Sequence, residues 1–153
     1  LMYEVGVNYP EVELEIVPGV TAALGGAAVL GAPLIHDFCL ISLSDLLTPW
    51  EKIKARLLGA SQADFVICLY NPSSKKRHDY LQKACDLMMQ YKSPDTVCGT
   101  VCNIGREGEE YHLMTLKELR DTQVDMFTTV FIGNKETQML NGCLVTPRGY
   151  RDV

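Results

Sequence analysis

Three short stretches combine a turn with residues able to hold a small ligand. The first is Val17-Pro18-Gly19-Val20-Thr21-Ala22-Ala23, a Pro-Gly turn that runs into small residues. Thr21 is placed to cap a helix there, its hydroxyl accepting from an amide of the first turn. The other first-turn amides, with no bulky side chain nearby, let a ligand approach the backbone. A tight turn with close helix packing explains the same residues without a ligand. The second stretch is Leu69-Tyr70-Asn71-Pro72-Ser73-Ser74-Lys75-Lys76-Arg77, an apolar run that empties into a polar turn and a basic helix start. Positive charge there opposes the helix dipole at up to about 1 kcal/mol per charge, and a polycarboxylate or a phosphate reverses the penalty. A solvated helix end accounts for it equally. The third is Val101-Cys102-Asn103-Ile104-Gly105-Arg106, where an amide side chain that both donates and accepts closes an apolar run.

Single residues add less. His36-Asp37 can act as a proton-transfer pair, but a lone His beside an Asp is more often a surface or capped pair. Asp45 can bind a ligand nitrogen or merely end a strand. Ser42 and Ser44 have no candidate base at a recognisable spacing, so nucleophilic catalysis is not supported. His78 and His112 stand at no metal-ligand spacing. None of the six cysteines forms a Cys-x-x-Cys pair, so no metal site is expected. Four of them lie in apolar stretches, which implies buried free thiols and a reducing cytoplasm. Gly105-x-x-Gly108 is too short for a dinucleotide fingerprint, and no Walker sequence is present.

The elements that must position these stretches follow from pattern. Residues 1–9 read as the tail of a helix ended by Asn8-Tyr9-Pro10. Residues 12–17 alternate apolar and charged and predict a strand. Residues 22–31 predict a helix in which Gly25-Gly26 costs about 1 kcal/mol per glycine, a cost usually offset by something close to the backbone. Residues 38–43 predict a strand, and Thr48 then caps a helix with Pro49 at its first position. Residues 65–70 are almost unbroken apolar, as in a strand covered on both faces. Asn71-Pro72-Ser73-Ser74 caps a helix with apolar residues at helical spacing to Tyr91. Residues 97–103 and 109–114 predict a strand pair, 115–120 a short helix, and 128–132 a last strand. Alternation early and a hairpin late imply an α/β fold with a mixed, mostly five-stranded sheet flanked by helices.

The 153 residues make one domain by size, burying roughly two-thirds of the unfolded surface. A net charge of −5 argues against a nucleic-acid partner, which requires a basic stripe. No apolar run reaches the roughly 18 residues of a membrane helix, and the opening Leu1-Met2-Tyr3-Glu4-Val5 does not read as a secretory signal.

Together these stretches resemble the tetrapyrrole methylase family, in particular its branch acting on C-17 of precorrin-3B. The likeness is carried by residues 17–23, Gly31-Ala-Pro-Leu-Ile-His-Asp-Phe38, Ile41-Ser-Leu-Ser-Asp-Leu-Leu-Thr-Pro-Trp50, residues 64–72, Asp125-Met-Phe-Thr-Thr-Val-Phe-Ile-Gly-Asn134 and Thr146-Pro-Arg-Gly-Tyr150. The resemblance implies a methyltransferase of two α/β domains with S-adenosyl-L-methionine in the cleft between them. It implies a tetrapyrrole in an adjacent trough, direct methyl transfer with ring contraction of precorrin-3B or cobalt-factor III in cobalamin biosynthesis, and a homodimer. By position it assigns Thr21, Ala22, Leu69, Tyr70, Asn103, Ile104, Thr128 and Thr129 to the cofactor, and His36, Ser44 and Asp45 to the macrocycle. It assigns no catalytic side chain. The family's Gly-Asp-Pro motif does not occur in this sequence, so these residues are expected to be the carboxyl-terminal domain, with one side of the cleft and little activity alone. A methyltransferase for another ring carbon and a non-catalytic cofactor-binding or dimerisation domain are the rival readings.

Overall fold

In the computed structural model, which describes residues 1–74 and 78–150, the order is α1 (Met2–Gly6), α2 (Ala22–Leu30), β1 (Gly31–Ala32), β2 (Phe38–Ser42), α3 (Trp50–Gln62), β3 (Val66–Tyr70) and α4 (Tyr80–Met88). Next come β4 (Val97–Cys102), β5 (Glu110–Thr115), α5 (Leu116–Arg120), β6 (Thr128–Ile132), β7 (Gln138–Leu140) and β8 (Cys143–Val145). The main sheet has five strands in the order β2-β3-β6-β4-β5. Only β2 and β3 pair in parallel; the other neighbours are antiparallel. The expected mixed α/β architecture is therefore present. Because β6 runs against both β3 and β4, the carboxyl ends of β2, β3 and β4 share one edge with the start of β6.

Successive strand residues face opposite sides, and two apolar layers result. Ile67 and Leu69 of β3 and Val130 and Ile132 of β6 pack under α3, α4 and α5, against Ile53, Leu57, Leu81, Met88, Leu116 and Leu119. Cys68 and Phe131 face the other way, onto Ala23, Ala27 and Leu30 of α2. That helix lies close. A Cβ at Gly25 would sit 2.9 Å from Ile104 Cγ2, and one at Gly26 2.8 Å from the Phe131 ring. The glycine pair thus offsets its helix cost by letting α2 approach the sheet. Thr115 opens α5 with a full capping box, bonded reciprocally to Glu118.

Several expectations are corrected. Residues 12–17 form no strand: from residue 13 to 21 the chain has no regular structure, and Val12, Ile16, Val17 and Val20 are exposed. Alternation alone makes no strand without a neighbour to pair with and a face to bury. Pro49, not Thr48, holds the N-cap position of α3, with extended ψ of 142°. Helix α4 opens at Tyr80 after Asp79, beyond the Asn71-Pro72-Ser73-Ser74 turn. The basic start at Lys75, Lys76 and Arg77 lies outside the described residues. A small sheet, β1-β8-β7, was not anticipated. Its β7–β8 hairpin turns through Asn141 and Gly142, both at positive φ, the residue pair that a two-residue hairpin favours.

Cys68, Cys85 and Cys98 are buried free thiols; Cys143 is exposed. Burial pushes the Cys68 and Cys85 thiols up to about 12. No helix among the described residues is long and apolar enough to cross a membrane.

Candidate functional site

Strands β3 and β4 each end on an asparagine in the left-handed region, Asn71 and Asn103, both at φ 52°. Asparagine tolerates that conformation better than other residues with a Cβ, and it turns the chain sharply at the sheet edge. Asn71 Nδ2 donates to Ser42 Oγ at 3.0 Å, tying β3 to the end of β2. Asn103 Nδ2 donates to the Gly108 carbonyl at 3.3 Å, and the Gly105 amide donates to Glu109 Oε2 at 2.6 Å. The β4–β5 turn is thereby held in one shape.

Tyr70 at the end of β3 joins the sheet to α2. Its hydroxyl lies 2.6 Å from Thr21 Oγ1 and accepts from the Ala23 amide at 2.7 Å. The phenol therefore satisfies a first-turn amide that Thr21 was expected to take; Thr21 occupies the N-cap position but makes no side-chain cap bond. The Leu24 and Gly25 amides both donate to the Thr21 carbonyl. The expectation of open amides for a ligand at Ala23, Leu24 and Gly25 is corrected accordingly.

On the α2 side of this edge lies a cavity of about 260 Å³. Ala22, Tyr70, Asn103, Ile104, Thr128 and Thr129 line it, as do Asn71, Arg106, Met126 and Phe127, which the sequence reading left unassigned. Arg106 is the only charged side chain among these; the others are apolar, amide or hydroxyl. Asp125 shapes the far wall: its Oδ1 accepts from the Phe127 amide at 3.0 Å and from Thr128 Oγ1 at 2.8 Å. Register sets Thr129 opposite Val101, so it faces the cavity side. Thr129 is only 5% exposed, and among the described residues its hydroxyl has no hydrogen-bond partner. A buried hydroxyl left so calls for a partner supplied from the cavity. A second cavity of about 320 Å³ opens on the opposite face, reached from Thr100, Cys102 and Thr128.

Other expected residues lie elsewhere. Leu69 is fully buried on the opposite face, in the layer under α3 and α4. Thr21 stands beside the cavity through its bond to Tyr70 but does not line it. His36, Ser44 and Asp45 do not line it either. His36 takes a positive φ of 57°, its Nε2 3.4 Å from the Arg148 carbonyl. The Ser44 amide donates to Ser42 Oγ. Asp45 Oδ2 accepts from the Tyr80 hydroxyl at 2.5 Å, and Tyr80 packs on Trp50 with centroids 4.7 Å apart. This pairing fastens the β2–α3 loop to α4. Met126 and Phe127 were in view within the quoted Asp125–Asn134 stretch; their exposed apolar side chains beside a strand start were the missed signal.

Among the described residues no carboxylate or imidazole lines the cavity, so these walls suit binding and orientation rather than proton transfer.

Residues 1–120 match the family model described as Tetrapyrrole (Corrin/Porphyrin) Methylases. A probable cobalt-factor III C(17)-methyltransferase of Salmonella typhimurium is 50% identical over 140 residues, covering 92% of this chain and 58% of that protein. A precorrin-3B C(17)-methyltransferase of a Sinorhizobium species is 45% identical over 150 residues, covering 94% of this chain and 58% of that protein. The crystal structure of the methyltransferase CobJ matches with a TM-score of 0.85 at 33% identity, over 95% of this chain and 62% of that one. The chain spans less than two-thirds of the length of each of these relatives.

Proposed function

We propose that this chain, which belongs to the tetrapyrrole (corrin/porphyrin) methylase family, is the carboxyl-terminal part of an enzyme that methylates C-17 of cobalt-factor III or precorrin-3B in cobalamin biosynthesis, with contraction of the ring. In this reading the 260 Å³ cavity is one wall of an S-adenosyl-L-methionine site. The observation that carries it is the buried Thr129 hydroxyl, which lines that cavity and lacks a partner among the described residues. A ligand with hydrogen-bonding edges, as an adenosyl group has, meets that need, so the residues present fit the cofactor.

Bound there, the cofactor supplies a methyl group activated on sulfonium. The chain's own part is holding and orienting. Thr129 offers its hydroxyl, Ala22 and Ile104 offer apolar surface, and Asn103 gives a strand end braced by its turn. Thr21, next to the cavity, and Leu69, behind the strand end, act through the positions they give Tyr70. Apart from Arg106 the described lining is uncharged and brings no proton-transfer group to the reacting centre, so transfer depends on alignment. His36, Ser44 and Asp45 are proposed to meet the macrocycle beyond the cofactor. The enzyme is further proposed to be a cytoplasmic homodimer; exposed Leu46, Leu47, Met139 and Leu140 supply apolar surface for association.

The test is methyl transfer by a protein carrying this chain at the length of its relatives. With labelled S-adenosyl-L-methionine, label should enter cobalt-factor III or precorrin-3B at C-17. Label at another ring carbon, or none, rejects the reading.

A further inference from the structure

Arg106 sits where the turn after β4 reaches the cavity, and among the described residues it is the only charged side chain lining it. Its surroundings in sequence are acidic: Glu107, Glu109 and Glu110 follow within four residues. Yet the guanidinium forms no ion pair with any of them. Glu109 Oε2 is engaged by the Gly105 amide, and Glu110 pairs with His112 at 3.1 Å. The turn also holds Arg106 in place, because its amide donates to the Asn103 carbonyl at 2.9 Å and Gly105 and Gly108 both take positive φ. A cation on a fixed backbone, its exposed side chain without a counter-ion among the described residues and in a cavity whose other described lining is uncharged, in a chain with net charge −5, is poised for an anion from outside the chain.

We propose that Arg106 is a ligand-binding residue that takes a carboxylate of the molecule occupying this cavity, through the planar fork that a guanidinium presents to a carboxylate. The inference rests on the reading of the cavity as a ligand site. Two sources carry that chemistry: the amino-acid end of the cofactor, and an acetate or propionate arm of the tetrapyrrole.

The experiment is an amide NMR titration of the 153-residue chain, which reads weak binding as well as tight. The probes are S-adenosylhomocysteine, its decarboxylated analogue that keeps the amine, and uroporphyrin I, an octacarboxylate. Arg106→Gln and Arg106→Lys are compared with wild type, and Arg56→Gln, an exposed arginine of α3 away from the cavity, controls for net charge. Wild type should prefer S-adenosylhomocysteine over the decarboxylated analogue by about tenfold, the scale of a charge-assisted pair near solvent. Loss of that preference in Arg106→Gln, partly restored in Arg106→Lys, supports the proposal with the cofactor as source. An unchanged preference with about tenfold weaker uroporphyrin binding supports it with the tetrapyrrole as source. Unaltered binding of all three probes, or the same loss in Arg56→Gln, overturns it. If no probe shifts the Ile104 and Thr129 amides even in wild type, the cavity reading itself fails and Arg106 falls with it; that result differs from one in which the ligands bind and Arg106 is indifferent.

Discussion

At the residue scale, two polar side chains do work that their neighbours in sequence do not reveal. The Tyr70 hydroxyl ends β3 and satisfies an amide of α2, contacts 47 residues apart along the chain. Replacing it by Phe leaves the ring packed and the Ala23 amide without its partner. Tyr70→Phe should cost about 1–2 kcal/mol in chemical denaturation and speed exchange of the Ala23 amide; a change in neither shows that the bond is dispensable. Lys92 is the second. Its side chain is 2% exposed, and its ammonium donates to the carbonyls of Phe65 at 3.0 Å and Gly133 at 2.9 Å, with Asp64 Oδ1 at 3.4 Å. Burial holds its pKa below the usual lysine range, against the opposing pull of Asp64. The sign follows from proton uptake. Above the depressed folded pKa the folded chain loses this proton while the unfolded chain still binds it, so this group's contribution to stability rises with pH up to the unfolded value near 10.4. Lys92→Met, which leaves two carbonyls without their donor while Asp64 keeps the Lys135 amide, should cost about 2 kcal/mol near neutral pH and remove that alkaline rise. An identical stability–pH slope in the two proteins sinks the argument.

At the element scale, α2 illustrates how a helix of weak formers is kept. Its glycines permit a close approach to Phe131 and Ile104 that no other residue allows. Gly26→Ala should therefore destabilise by about 1–3 kcal/mol through overpacking, despite better helix propensity. Gly59 in α3 provides the contrast, since an added Cβ there meets nothing within 4 Å. Gly59→Ala should stabilise by about 0.5–1 kcal/mol. Thermal melts of the two variants should shift in opposite directions, and shifts of the same sign refute the packing account. Elements were legible in the sequence where pattern and burial agree. The last main strand, β6, was read at its true bounds because Thr128–Ile132 is buried throughout and stopped by a Gly-Asn turn. Residues 12–17 carried an equally clear alternation and failed, since nothing among the described residues pairs with them. The β7–β8 hairpin was missed although Asn141-Gly142 announced it, because strands of three residues give periodicity too little length to register.

At the scale of the molecule, the proposed site is one wall of a cleft. Titration calorimetry of the chain alone should show weak or undetectable S-adenosyl-L-methionine binding, since a ligand on an open wall keeps much of its surface in water; submicromolar affinity contradicts the proposal. The sequence by itself determined most turns and the apolar runs, because φ preferences and burial patterns are local properties, but it misjudged the helix caps at Thr21, Thr48 and Asn71–Ser74. The family resemblance, not these patterns, singled out Ala22, Tyr70, Asn103, Ile104, Thr128 and Thr129, all of them near element ends. Only the tertiary structure decided that these ends meet. Strand β6 inserts antiparallel between β3 and β4, which brings the start of one strand to the ends of two others, and pairing direction across some 30 to 60 residues leaves no local mark. The same register turned Leu69 into the core and Tyr70 to the cavity, because adjacent strand residues face opposite sides and only the assembled layers say which side is open.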